Sequence, residues 1–121
     1  VQEVFGQNSQ LKAPVNAKLN KDFADTQTGL EFVETKGQYI RAAAEGLIKE
    51  IAEDKENGRF VEIAHGGSVS TRYYGFGEIL VTQGQTVKAG DMLGQAAETV
   101  RFQVLLNGKY VDPLQYIPTA N

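Results

Sequence analysis

The sequence has no cysteine, a single histidine and no surplus of basic residues. Without cysteine there is no thiol nucleophile, no thiolate ligand and no disulfide, although the compartment stays open because many exported bacterial domains also lack it. The lone His65 has no second His or Cys to work with. A general base needs a positioned partner, and a zinc site usually draws three protein ligands mainly from His and Cys. His65 is therefore read as structural or merely exposed. Lys and Arg number 12 against 15 acidic residues, a formal net charge of -3. Such a balance has no electrostatic footprint for a phosphate backbone, so nucleic acid is not an expected partner. Uninterrupted apolar runs, such as Ala42-Ala43-Ala44, are only a few residues long. A membrane-spanning helix needs about 20. The chain opens on Val1 rather than Met, which leads us to expect a processed piece whose signal or membrane anchor lay upstream.

What is present points to strands. The 121 residues suit one domain with one core. Glycine, at 13 residues, exceeds the usual share of about 7% and falls between short runs rich in Val, Ile, Phe, Tyr and Thr. Asn57-Gly58 and Asn107-Gly108 each predict a type I′ hairpin, whose two central residues both need positive φ. In 100–106, Val100, Phe102, Val104 and Leu106 share one face and mark a core side. In 59–65, Val61 and Ile63 lie opposite Phe60 and Ala64, so both faces of that strand are expected to be partly covered. Helix signal is weak: in 41–54, Gly46 interrupts the alanine run and Leu47, Ile48 and Ile51 fill no regular stripe. Asp112-Pro113 predicts one closing turn of helix with an Asp cap and Pro in first position. Residues 1–10 carry no pattern and read as a flexible linker remnant, leaving 11–121 as the folded domain.

Among candidate sites, Glu50, Glu53, Asp54 and Glu56 form an acidic cluster, but Lys49, Lys55 and Arg59 interleave it and no calcium loop is present. The segment Thr71-Arg72-Tyr73-Tyr74-Gly75-Phe76 has the composition of recognition surfaces. Its alternation predicts one aromatic buried and one exposed.

From Leu11 to Ile117 the chain resembles the lysostaphin-type, LytM-like zinc endopeptidases that cut peptide cross-links in bacterial cell walls. The resemblance rests on 13–18, 40–46, Val61-Glu-Ile-Ala-His-Gly-Gly67, Thr71-Arg-Tyr73, 78–94 and 101–117. It implies a mostly β fold with little helix: one compact, antiparallel, barrel-like hybrid domain of the duplicated-hybrid-motif type, with strands forming a groove. Active members hold zinc on a His-x-x-x-Asp pair and on the last residue of a later His-x-His. The first His of that triplet and a further His after a Tyr-x pair serve catalysis. Here the first pair falls on Gln27 and Glu31, the triplet on Thr99 and Arg101, and the remaining position on Gly75. All four histidine positions are thus filled by other residues. Arg101 at a ligand position would repel zinc by on the order of 8 kcal/mol for charges about 4 Å apart at an effective dielectric of ~20. The expectation is no zinc or other cofactor, no metal ligand and no catalytic residue, with Arg101 taking the ion's place beside Glu31.

The resemblance therefore implies a pseudoenzyme: an envelope domain on the outer face of a bacterial membrane that binds a peptidoglycan peptide or an envelope protein. Gln27, Glu31, Arg72, Tyr73, Tyr74, Gly75, Phe76, Thr99 and Arg101 would line the vestigial groove. Two rival readings are a residual endopeptidase acting through Glu31 and a lipoyl-like or phosphocarrier-like barrel. The second is suggested by Gly84-Gln-Thr-Val-Lys-Ala-Gly-Asp-Met-Leu-Gly94. Met92 has no neighbouring Lys for a carrier, and phosphate transfer would rest on His65 alone.

Overall fold

The computed structural model describes residues 11–116, and the linker expected over 1–10 lies outside them. Alternating apolar residues become strands because period two puts every second side chain on one face, where neighbouring strands can bury it. In chain order these are β1 (Lys18–Lys21), a short helix α1 (Phe23–Thr26), β2 (Leu30–Val33), β3 (Tyr39–Arg41), β4 (Gly46–Asp54), β5 (Gly58–Gly66), β6 (Val69–Ile79), β7 (Thr86–Val87), β8 (Met92–Leu106) and β9 (Lys109–Val111). The nine strands join one antiparallel sheet with the path β1-β2-β8-β6-β5-β4-β7, and β3 and β9 pair with β8 off that path. The long β8 organises it. One edge of β8 pairs with β6, and the other is shared by β3, β2 and β9 in turn.

Register carries the core across the sheet. Leu30, Phe102, Tyr73, Val61 and Ile51 stand opposite one another in one row. Val104, Thr71, Ile63 and Ile48 form the next. Phe102, Tyr73, Val61 and Ile63 are completely buried, each apolar side chain contributing roughly 1.5–3 kcal/mol. On β5 the opposite face is covered too, since Phe60 and Glu62 are also buried. The backbone N–H of Leu11 donates to the carbonyl of Tyr116 at 2.8 Å, tying the first described residue to the last.

The Asn107-Gly108 turn has both residues at positive φ, 53° and 79°, as its type I′ signature requires. The other turn differs from the sequence expectation. Asp54 pairs with Gly58, leaving a three-residue loop, Lys55 to Asn57, closed by Gly58, which is left-handed at φ 86° while Asn57 is not. The cause is Asp54, whose Oδ1 accepts the backbone N–H of Glu56 at 3.1 Å and of Asn57 at 2.7 Å. That pair of bonds selects a wider loop than Asn-Gly alone would close. The closing turn is a 3-10 helix over Pro113–Gln115, capped by Asp112 through the N–H of Leu114. Helix α1, which composition did not announce, starts from a reciprocal cap between Asp22 and Asp25.

Candidate functional site

One face of the sheet is polar. Glu31, Arg101, Tyr74 and Phe60 stand opposite one another on β2, β8, β6 and β5. Gln103, Arg72 and Glu62 form the row beside them. Between these rows, the β1–α1 segment and the β4–β5 turn lies a cleft of about 300 Å³. Two larger hollows, near Leu47 and near Tyr39, contain none of the nine residues assigned to the groove from sequence.

Glu31 is only 8% exposed. Its Oε1 lies 3.1 Å from Nη2 of Arg101, and its Oε2 accepts from Asn20 Nδ2 at 2.8 Å. Direct register pairing of the two Cα positions puts them on one face, where an Arg can reach its partner without bending. The ion pair expected from sequence is therefore present. Tyr74 donates its hydroxyl to Asp54 Oδ2 at 2.5 Å. Burial, reinforced by that carboxylate, pushes the Tyr74 phenol up to about 12. The same hydrogen bond holds the Asp54 carboxyl below its usual range despite some burial. Arg72 sends Nε and Nη2 to Oε1 of buried Glu62 at 3.1 and 2.8 Å and lies 4.6 Å over the ring of Phe60. Burial works against the Arg72 charge, but the bonds to Tyr74 and Glu62 outweigh it and its pKa is raised.

Of the nine residues assigned to the groove from sequence, three, Glu31, Tyr74 and Arg101, line this cleft. Gln27 does not: it caps the C-terminus of α1 at φ 64°, is exposed, and folds its amide back to the Ala24 carbonyl. Tyr73 is corrected to a core residue. Its hydroxyl accepts the Ala43 N–H at 2.9 Å and lies 2.7 Å from the Thr71 hydroxyl. Odd positions of β6 up to this point face inward, so the adjacent aromatics Tyr73 and Tyr74 take opposite faces, and both are buried. The expectation of one exposed ring fails because Phe60 and Asp54 cover the second. Phe76 also leaves the groove. The register slips between Tyr74 and Phe76, and the inserted residue of this bulge reverses the alternation, so Phe76 packs against the core. Arg72 stays on the polar face but is engaged by Glu62, and Thr99 is paired with Val33.

Gly75 is the residue that makes the bulge. At φ 101° it occupies left-handed space, and a Cβ there would sit 2.0 Å from the Thr99 carbonyl oxygen. No side chain can be carried at this position, which the family resemblance gives to a catalytic histidine, without moving β6 from β8.

His65 is remote from the cleft. Its Nδ1 lies 2.7 Å from the Glu45 carbonyl and its Nε2 2.8 Å from the Thr71 hydroxyl. A carbonyl only accepts, so Nδ1 carries the proton. Burial pushes the pKa of His65 down, partly offset by that bond.

The donor set does not fit zinc. The Gln27 amide is turned away, the Glu31 carboxylate is held by Arg101 and Asn20, and the third ligand position carries a cation. Among the described residues no group of three or more His, Cys, Asp or Glu comes together as a metal would require.

Similarity to known proteins follows the same outline. Residues 25–113 match Peptidase family M23. An uncharacterized metalloprotease of Haemophilus influenzae is 30% identical over 115 residues, covering 88% of this chain and 23% of the relative. The murein hydrolase activator NlpD of Salmonella dublin is 27% identical over 120 residues, covering 91% of this chain and 32% of the relative. The chain thus spans about a quarter to a third of these proteins. Csd3 of Helicobacter pylori superimposes with a TM-score of 0.83 at 22% identity, covering 92% of this chain and 35% of that one, a likeness of fold. With the strand order, the cleft and the altered ligand positions in view, the chain belongs to peptidase family M23.

Proposed function

We propose that this chain is a non-catalytic M23 domain of the bacterial cell envelope that binds a peptidoglycan peptide or a protein partner through its cleft, without cutting it. The observation that carries this reading is the Glu31–Arg101 ion pair, which puts a guanidinium at the position of a zinc ligand and neutralises the carboxylate beside it. A hydrolytic metal would have to displace an ion-paired cation from a buried acid; the remaining ligand position offers Gln27, and the two catalytic positions offer Thr99 and Gly75. Similarity to a murein hydrolase activator supports a binding role, and an upstream anchor would hold the domain at the membrane's outer face.

The test is direct. Purified protein dialysed against zinc should retain less than stoichiometric metal, release no peptide from cross-linked peptidoglycan, and co-sediment with sacculi or stimulate a cell-wall hydrolase. Released peptides would overturn the non-catalytic reading. Failure both to bind sacculi and to affect any wall hydrolase would overturn the binding role.

A further inference from the structure

We infer that the cleft accepts a basic side chain, Lys or Arg, offered by a polypeptide partner. The inference rests on the binding role proposed above and specifies the chemistry of what is bound.

Two independent observations carry it. The first is Gln103, which lines the cleft at 2% exposure and whose Oε1 accepts no hydrogen bond among the described residues. An orphaned buried acceptor is costly to a fold, and what it lacks is a donor. The second is the charge of the walls. Lys21 and Arg101 face Asp25, Glu31, Asp54 and Glu56, a formal sum of +2 and -4, or -2. Arg101 is already committed to Glu31, so the remaining acids outnumber Lys21 by three to one.

Asp54 is the acid fixed in place. Its carboxylate is held by Tyr74 on one oxygen and by the Glu56 and Asn57 amides on the other, so it presents preorganised negative charge at the cleft. The other acceptor the lining offers is the neutral Gln103 side-chain carbonyl. A fixed carboxylate and a spare acceptor among the lining residues of one cleft suit an ammonium, which carries three donors, or a guanidinium, which carries five. A ligand carboxylate would meet uncompensated acid on most sides. A volume of about 300 Å³ is at the small end for ligand pockets and has room for one long side chain.

The probes are three capped tripeptides, acetyl-Gly-Lys-Gly-amide, acetyl-Gly-Arg-Gly-amide and acetyl-Gly-Glu-Gly-amide, titrated into the full chain and followed by 15N chemical shifts. The Lys and Arg peptides should move the Gln103 side-chain amide and the Asn57 backbone amide, with the Glu peptide at least about tenfold weaker. Q103M should weaken the basic peptides by about tenfold while melting no lower than wild type, since it removes the orphan. A merely structural Gln103 would not split affinity from stability in this way. Equal or tighter binding of the Glu peptide, or unchanged affinity in folded Q103M, overturns the inference. Should Q103M not fold, the wild-type titration decides: cleft shifts with Lys and Arg support it and their absence overturns it. Wild type that ignores basic peptides yet holds sacculi loses this inference alone, whereas wild type that does neither loses the binding role as well.

Discussion

Removing the guanidinium from Arg101 strands a carboxylate that water barely reaches. At 3.1 Å the gross attraction between the two charges is about 5 kcal/mol at an effective dielectric of ~20. Much of that does not survive as stability, because the Arg101 side chain is 41% exposed and solvent screens it, and because burying Glu31 has its own desolvation cost. A coupling of about 1–2 kcal/mol between the two residues is the expected remainder. R101M alone should cost about 2 kcal/mol, since Glu31 is left with only the Asn20 amide. E31Q combined with R101M should recover most of the loss, because a neutral pair leaves no charge unpaired. Urea denaturation of the wild type, both single variants and the double variant closes the cycle. A coupling within about 0.3 kcal/mol of zero would refute the claim that this ion pair, rather than packing around it, holds the groove together.

R101H, which returns a histidine to a ligand position, should still bind no stoichiometric zinc, because Gln27 is turned out and Glu31 with one imidazole falls short of the three protein ligands zinc usually draws; metal analysis after dialysis checks this, and a tight equivalent of zinc would contradict it. Stability should fall in mild acid through His65. Its folded pKa is depressed below the ordinary ~6.5, so the unfolded chain takes up the proton first. The contribution is complete above about pH 6.5 and is lost as pH drops towards the folded value. Denaturation midpoints from neutral to mildly acid pH should show this slope, and it should be absent in H65Q. G75A should destabilise by more than about 2 kcal/mol through its clash with the Thr99 carbonyl, and a thermal melt unchanged from wild type would show that the bulge is not tight.

The residues differ in how far they were legible from sequence. Phe102 and Val104 announced a core strand because alternation is a local property, and the closing turn at Asp112-Pro113 because capping acts within one turn. Helix α1 carries its local signal in the acid pair at Asp22 and Asp25, which has the spacing of a cap. Phe76 and Tyr73 were misplaced for separate reasons. The bulge at Gly75 depends on how β6 meets β8, and period two alone cannot say which of two adjacent aromatics turns inward. Gln103 was missed altogether: an orphaned acceptor exists only once neighbours have closed around it.

Pattern and spacing determined by themselves that the chain is a β domain and where its strands alternate, and the family resemblance added that each position the family gives to a histidine carries another residue, because residue types and short-range periodicity are written along the chain. Pairing across strands decided the rest. Which acid meets Arg101, which tyrosine is sealed in the core, and which carbonyl is left waiting for a donor depend on register between segments far apart in sequence, and register is set by the packing of the whole sheet.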